Sequence, residues 1–254
     1  MQHPETDHRR QPADPPKVQS ALDPQPESAR REPHRFSPQV ERRIVGATWL
    51  LAWFGLVAGQ LHAMSRHATD GGQSDLQAPL TRAWSVPVSE ALSPLLTWSD
   101  PDTVYVTYGK LWIPVYGAFA LCAYVVFTHR NARGLELWGW RLCLTSYTLM
   151  TLSIVGDYFT PWMDQSFMFL GMPSAALGLV GSPLLGIALL RNGFRPRITA
   201  WILILWLPLT IAITQVTSLG SADLPTAFAW AYAGSRLLAE RQESVPGQRV
   251  AEPA

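Results

Sequence analysis

The chain has 254 residues with 20 Lys plus Arg against 19 Asp plus Glu, so its net charge of +1 excludes the concentrated basic surface that nucleic acid requires. A mean hydropathy of only +0.06 averages two chemically different regions, a polar N-terminal stretch and a very apolar remainder. The two cysteines, Cys122 and Cys143, lie inside apolar stretches without Cys-x-x-Cys spacing or neighbouring histidines; they read as packing residues rather than a disulfide framework or zinc ribbon.

Residues 1–43 contain eight prolines and fifteen charged residues, and cannot bury enough apolar surface to offset the entropy of ordering. They are expected to form a disordered, Pro-rich cytoplasmic tail. The segment is too long and too acidic for a signal-peptide n-region, and no small-x-small cleavage site follows, so the first apolar stretch is expected to remain as an anchor.

Six apolar stretches follow, at 44–63, 111–128, 137–158, 167–190, 198–216 and 223–238, against the ~20 residues that one bilayer crossing needs. Cations alternate between their connections. Arg42 and Arg43 precede the first stretch, Arg130, Arg133 and Arg141 surround the second connection, Arg191, Arg195 and Arg197 fill the fourth, and Arg236 and Arg241 end the sixth stretch. The other side holds Arg66, Arg82 and Lys110 among many acids. Since cytoplasmic connections carry the excess of Lys and Arg, this pattern predicts an all-α, multi-pass protein of the cell membrane. Its expected organisation is a bundle of six transmembrane helices over 44–240, with both termini cytoplasmic, an outer loop at 64–110 and a disordered tail at 241–254. Trp112, Trp138, Trp140, Tyr158 and Trp162 near the span ends suit the headgroup level. In the outer loop, Val88, Ala91, Leu92, Leu95 and Leu96 have helical spacing, with Pro87 suited to a helix start and Pro94 to a break.

Small residues recur at four-residue intervals: Ser174, Gly178, Ser182 and Gly186 in the fourth stretch, Gly55, Gly59 and Ala63 in the first, and Ala227, Ala231 and Ser235 in the sixth. Such faces let backbones approach closely. With three of them in one chain, packing within the chain is favoured over dimerisation. Pro183 and Pro208 are expected to bend the fourth and fifth spans.

Ionisable groups at membrane depth are costly and mark candidate sites. Asp157 ends the third span, where the helix dipole disfavours a carboxylate, so a cationic partner is expected among His62, Arg66 and His67 at the end of the first span. Ser146 and Ser153 share the helix side of Asp157 and complete a polar stripe. Asp223 opens the sixth span and reads as a helix cap. No metal, haem or retinal site is expected. The histidines lack zinc spacing, His129 lies at the opposite face from His62, and the lysines at 17 and 110 stand outside the spans. Hydrolase, zincin and P-loop motifs are absent from the sequence, and no catalytic residue or cofactor is assigned.

The run from Gly186 to Arg197, Gly-Ile-Ala-Leu-Leu-Arg-Asn-Gly-Phe-Arg-Pro-Arg, followed by Ala200-Trp201, resembles the span–loop–span passage of uncharacterised multi-pass proteins from GC-rich actinobacteria. The resemblance covers about thirty residues and implies no activity. Three functions remain in view: an accessory or assembly component that packs with other membrane proteins or itself; a small-solute transporter or sensor with an outer vestibule around Asp157; and an intramembrane lipid-modifying enzyme. Accessory packing is the first expectation, with the lipid bilayer as the constant partner.

Overall fold

A computed structural model describes residues 36–243, and these are helical throughout, with no strand among them. Their helices are α1 (Pro38–His67), α2 (Pro79–Ala91), α3 (Ser93–Leu96), α4 (Pro101–Gly109), α5 (Trp112–Thr128), α6 (Gly134–Phe159), α7 (Met163–Ser166), α8 (Met172–Arg191), α9 (Arg197–Ile204), α10 (Trp206–Thr214) and α11 (Leu224–Glu243). A π-helical turn, Phe167–Gly171, joins α7 to α8. Most of the tail expected at 1–43, and residues 244–254 of the C-terminal tail, lie outside the described residues.

Helix α1 begins earlier than the apolar pattern suggests. Ser37 accepts a hydrogen bond from the Val40 amide and Pro38 takes the first helical position, the two signals that start a helix irrespective of hydropathy. Residues 38–43 are therefore helical rather than part of the tail, and Glu41, Arg42 and Arg43 ride on α1. Arg241 likewise belongs to α11 and not to the C-terminal tail.

Three helical stretches are long and apolar enough to cross a membrane, Pro38–His67, Pro101–Thr128 and Met163–Arg191, or four if α9 and α10 count as one span bent by 67°. The bend has a local cause. Pro208 has no amide hydrogen for the Ile204 carbonyl and its ring crowds that carbonyl, so the helix breaks at Leu205. Helices α6 and α11 are long but less apolar, and each turns one face into the bundle. Trp140 and Cys143 of α6 and Trp230 and Ala231 of α11 are fully buried. The outward faces carry the large apolar side chains instead: Val57 is 73% exposed and Phe169 74%, while Glu41 is 0%. This inverts the usual preference, since a surface in water rarely gathers so many large apolar groups while polar ones turn inward.

The main seam joins α6 and α8, which run antiparallel. A Cβ on Gly139 would lie 2.8 Å from the Leu185 backbone, and one on Gly181 would lie 2.8 Å from Leu142. Further along, Ser146 and Ser174 each donate to the other's carbonyl at 2.8 Å, and Gly171 sits over Ser153. The four-residue ladder of α8 does not serve this seam alone. Each step of four residues advances ~40° around a helix, so twelve residues turn the ladder by ~120°. Ser174 and Gly178 face α6, whereas Gly186 faces α9, where a Cβ would come 2.5 Å from the Ala200 carbonyl oxygen. Gly193, in the left-handed region at φ +66°, ends α8 with the Phe194 amide on the Leu189 carbonyl.

On α1, Gly55 and Gly59 meet α5 and α11; a Cβ on Gly59 would fall 2.5 Å from the Trp112 ring. Trp112 is thus a core residue, 3% exposed, and Trp140 likewise packs against Trp230, tilted by 35°, inside the bundle. Trp138 and Trp162 are exposed. The loop at 64–110 is ordered as α2 to α4. Pro79, not Pro87, starts α2; Pro87 lies inside it, and the interruption before Pro94 separates α2 from α3. Thr81 and Trp84 of α2 donate to the Gln215 and Val216 carbonyls. Asp100 caps α4, and hydrogen bonds from Thr103 hold its carboxyl below the usual carboxylate range.

Gly186→Ala should lower the thermal stability of the purified protein by the amount typical of overpacking, ~1–3 kcal/mol. Leu179→Ala, on an outward face 45% exposed in the bundle, should change it by less than half as much in detergent. Equal effects of the two substitutions would mean that α8 does not pack on α9 through Gly186.

Candidate functional site

Polar groups inside the bundle gather in three layers. At the end where α1 begins and α11 finishes, Glu41 is buried and accepts from His129 Nε2 at 2.7 Å and from Arg241 at 3.1 Å. Arg241 also approaches His129 Nδ1 at 2.6 Å. A guanidinium can only donate, so Nδ1 accepts and the imidazole proton sits on Nε2, directed at Glu41. This triad ties α1, the end of α5 and α11 together. Beside it, Glu136 takes a bidentate hydrogen bond from Arg130 at 2.9 and 3.2 Å, and also accepts from Asn192 and Trp140. None of these residues was singled out as a site from the sequence. Assigning Glu41 to a tail hid the first cluster, and the Ser37-Pro38 start signal is the pattern that reveals it.

At the opposite end the residues expected to pair with Asp157 have other partners. His62 is buried, accepts from Trp112 Nε1 at 3.2 Å through Nδ1, and meets the Tyr158 hydroxyl at 2.9 Å through Nε2. Its ring stacks on Tyr105, with centroids 4.7 Å apart. An indole only donates, so the neutral ring again carries its proton on Nε2 and donates it to Tyr158. Arg66 pairs with Asp75 at 2.8 Å and reaches Tyr105 at 3.4 Å. His67 ends α1, half-buried, within the influence of Asp75 and Arg66.

The expected Asp157–cation contact is therefore absent. Asp157 and Tyr158 are adjacent but ~100° apart on the helix, and it is Tyr158 that faces α1. Asp157 turns toward α7. One carboxylate oxygen accepts from Ser153 at 3.4 Å, and Oδ1 is buried with no hydrogen-bond partner. The charge that bears on it is another acid, Asp164. Ser153 and Ser146 are buried along the same face of α6, as the stripe pattern suggested, and both face α8 or the π-helical turn that precedes it.

The middle layer centres on Asp223. Its backbone carbonyl receives the Ala227 amide in the first turn of α11, yet its side chain does not act as the expected cap. Oδ1 accepts from Trp206 at 2.7 Å and Oδ2 from Tyr116 at 3.0 Å, so the carboxylate joins α5, α10 and α11. Asp223, Tyr116, Tyr147, Ser146 and Ser174 line an interior space of about 10 Å³, close to what one water molecule requires. The depth follows from α1. Leu224 packs where a Cβ on Gly55 would be, at 3.1 Å, and Gly55 stands ~21 Å along the axis from Glu41. Helix α11 thus begins near mid-height of the bundle, preceded by buried Ser218, Ser221 and Ala222 in non-α-helical backbone.

A separate, apolar groove of about 740 Å³ opens on the bundle's flank, walled by Leu56, Ile213, Val216 and Phe228, roofed by Trp84 and bordered by Gln60.

No protein-family model, curated protein or solved structure matches this chain in comparison.

Two double-mutant cycles read the geometry at the His62 end. His62→Gln and Tyr158→Phe should couple by ~0.5–3 kcal/mol in unfolding experiments, as contacting residues do. His62→Gln and Asp157→Asn should add within ~0.5 kcal/mol. Coupling only in the second pair would show that Asp157, not Tyr158, engages His62.

Proposed function

We propose that this chain is an integral membrane protein that crosses the bilayer six times with both termini in the cytoplasm, and that it binds a small polar solute as a transporter or sensor. The observation that carries the solute reading is Asp157 Oδ1, a buried and unpartnered carboxylate oxygen at the end of a serine seam. A carboxylate atom without a donor is costly in any interior and costlier in a membrane, which marks it as a place for something the bundle itself does not supply.

Three further features support the membrane reading. Large apolar side chains cover the outward faces, and charged clusters stand at the two ends. Both described chain ends come together at the Glu41–Arg241 pair, which agrees with an even number of crossings. The fifth and sixth crossings are irregular: α9 breaks at Leu205, and the helical part of the sixth begins near mid-height. Broken helices at membrane depth are tolerated only where they are buried in protein or line a cavity, and transporters use them to build sites.

A role as an accessory or assembly component keeps one observation in its favour, the open apolar groove beside α1, α10 and α11. The small-residue faces no longer argue for it. Gly55, Gly59, Gly178 and Gly186 all have neighbours within this chain.

Single-cysteine labelling tests topology and vestibule together, because native Cys122 and Cys143 are buried. In intact cells a membrane-impermeant maleimide should modify Ser74→Cys and Asp157→Cys, while Arg195→Cys should react only after lysis. Reaction of Arg195→Cys in intact cells would overturn the topology. An unreactive Asp157→Cys beside a reactive Ser74→Cys would overturn the outer vestibule.

A further inference from the structure

We infer that the interior space beside Asp223 is a binding site for one Na⁺-sized monovalent cation, held by the Asp223 carboxylate and the hydroxyl oxygens of Ser146 and Ser174. The inference goes beyond the solute-binding reading, which centres on Asp157, and rests on it only for the site's membrane setting.

Donor and acceptor accounting at the space favours a cation. The Ser146 hydroxyl gives its single hydrogen to the Ser174 carbonyl at 2.8 Å, and Ser174 gives its own to the Ser146 carbonyl at 2.8 Å. Tyr116 gives its hydrogen to Asp223 at 3.0 Å. Each hydroxyl carries one hydrogen, so the serine oxygens have only lone pairs left for the space they line. Tyr147 accepts from Trp230 at 3.2 Å and turns to the Cys143 sulfur. These acceptors, a carboxylate among them, share the wall with Met150, Ala175 and Gly178, and apolar atoms make up most of it.

No cation in the bundle answers this charge. The groups that bear on Asp223 are the Trp206 indole and the Tyr116 phenol, both neutral donors. From the packed elements, α5 presents Tyr116, α6 presents Tyr147 and Ser146, α8 presents Ser174, and α10 presents Trp206; none carries a positive charge. The amino end of α11 offers about half an elementary charge, too little to balance a carboxylate held near mid-bilayer. The volume selects the ligand. At about 10 Å³ it admits one water-sized species and nothing with a carbon skeleton.

The site also touches the broken helix. Trp206 is the first residue of α10, immediately beyond the break, and its indole holds one Asp223 oxygen at 2.7 Å. A cation on the carboxylate competes with that hydrogen bond for charge, and so biases how α10 is tethered.

The test uses the full chain purified in detergent, with radioactive Na⁺ binding and thermal stability measured in NaCl against choline chloride at equal ionic strength and several pH values. For a Na⁺ site, the parent binds Na⁺ saturably and is stabilised by it. Asp223→Asn should weaken that binding at least ~tenfold, as loss of a full charge at this depth implies, while Asp70→Asn, at an exposed acid, leaves it intact. A pH-dependent stability that Asp223→Asn flattens, with no Na⁺ effect on the parent, would mean that the carboxyl only takes up a proton, and would overturn the proposal. Identical Na⁺ and pH responses in the parent and Asp223→Asn would overturn the proposal. Should Asp223→Asn fail to fold, Ser174→Ala keeps the carboxylate and removes one acceptor; an unchanged Na⁺ and pH response in that variant overturns the proposal equally. Failure of Asp157→Cys to label from outside would remove the vestibule and leave these responses unaffected, so the two readings fail separately.

Discussion

The close approach of α6 and α8 is the constraint on which the rest of the bundle depends. Glycines at 139 and 181 remove the side chains that would hold the two backbones apart, and Ser146 and Ser174 lock the seam through reciprocal hydrogen bonds. In an apolar solvent, helices gain little from burying apolar surface against each other, so close packing and buried hydrogen bonds must hold them together. The same seam decides where polar groups go. It places the serine oxygens of the middle layer, brings Ser153 beneath the π-helical turn, and sets Asn192 beside Glu136 at one end.

Around this seam the remaining helices are tied by polar links at three heights. Glu41, His129 and Arg241 join first and last helices at one end; His62, Tyr158, Tyr105 and Arg66 join α1, α4 and α6 at the other; Asp223 joins α5, α10 and α11 between them. Each link satisfies a group whose burial without a partner costs several kcal/mol in a membrane. Two histidines, ~30 Å apart along α1 and α5, reach the same protonation pattern because each faces a group that can only donate. Four buried side-chain atoms among the described residues lack a partner, Ser85 Oγ, Thr210 Oγ1, Ser218 Oγ and Asp157 Oδ1, and only the last belongs to a carboxylate.

Helices α9 to α11 complete the picture. Pro208 bends the α9–α10 pair, and the chain returns through a 3-10 turn to start α11 near mid-height of the bundle. The irregular backbone before α11 is partly enclosed by the bundle, as the burial of Ser218, Ser221 and Ala222 reflects. The cost of this arrangement is a less regular pair of crossings; its result is a carboxylate placed where no loop could carry it.

The sequence by itself determined the helical class, the long apolar stretches, the alternation of arginines and the small-residue faces, because each follows from local periodicity or composition. It also placed Ser146, Ser153 and Asp157 on one side of α6, since helical spacing alone decides which residues share a face. Only the tertiary structure decided the partners. Asp157 and Tyr158 differ by ~100° around α6, and that rotation gave His62 to Tyr158 and left Asp157 facing α7. Asp223 reads as a cap in one dimension, but the break before Trp206 and the turn that brings Tyr116 beside it make it a three-helix link. Glu41 sits in a charged stretch whose composition resembles a tail, and its burial depends on His129 and Arg241 arriving from 88 and 200 residues away. Separations of that size leave no local pattern, which is why the sites of this protein emerge from packing while its helices emerge from sequence.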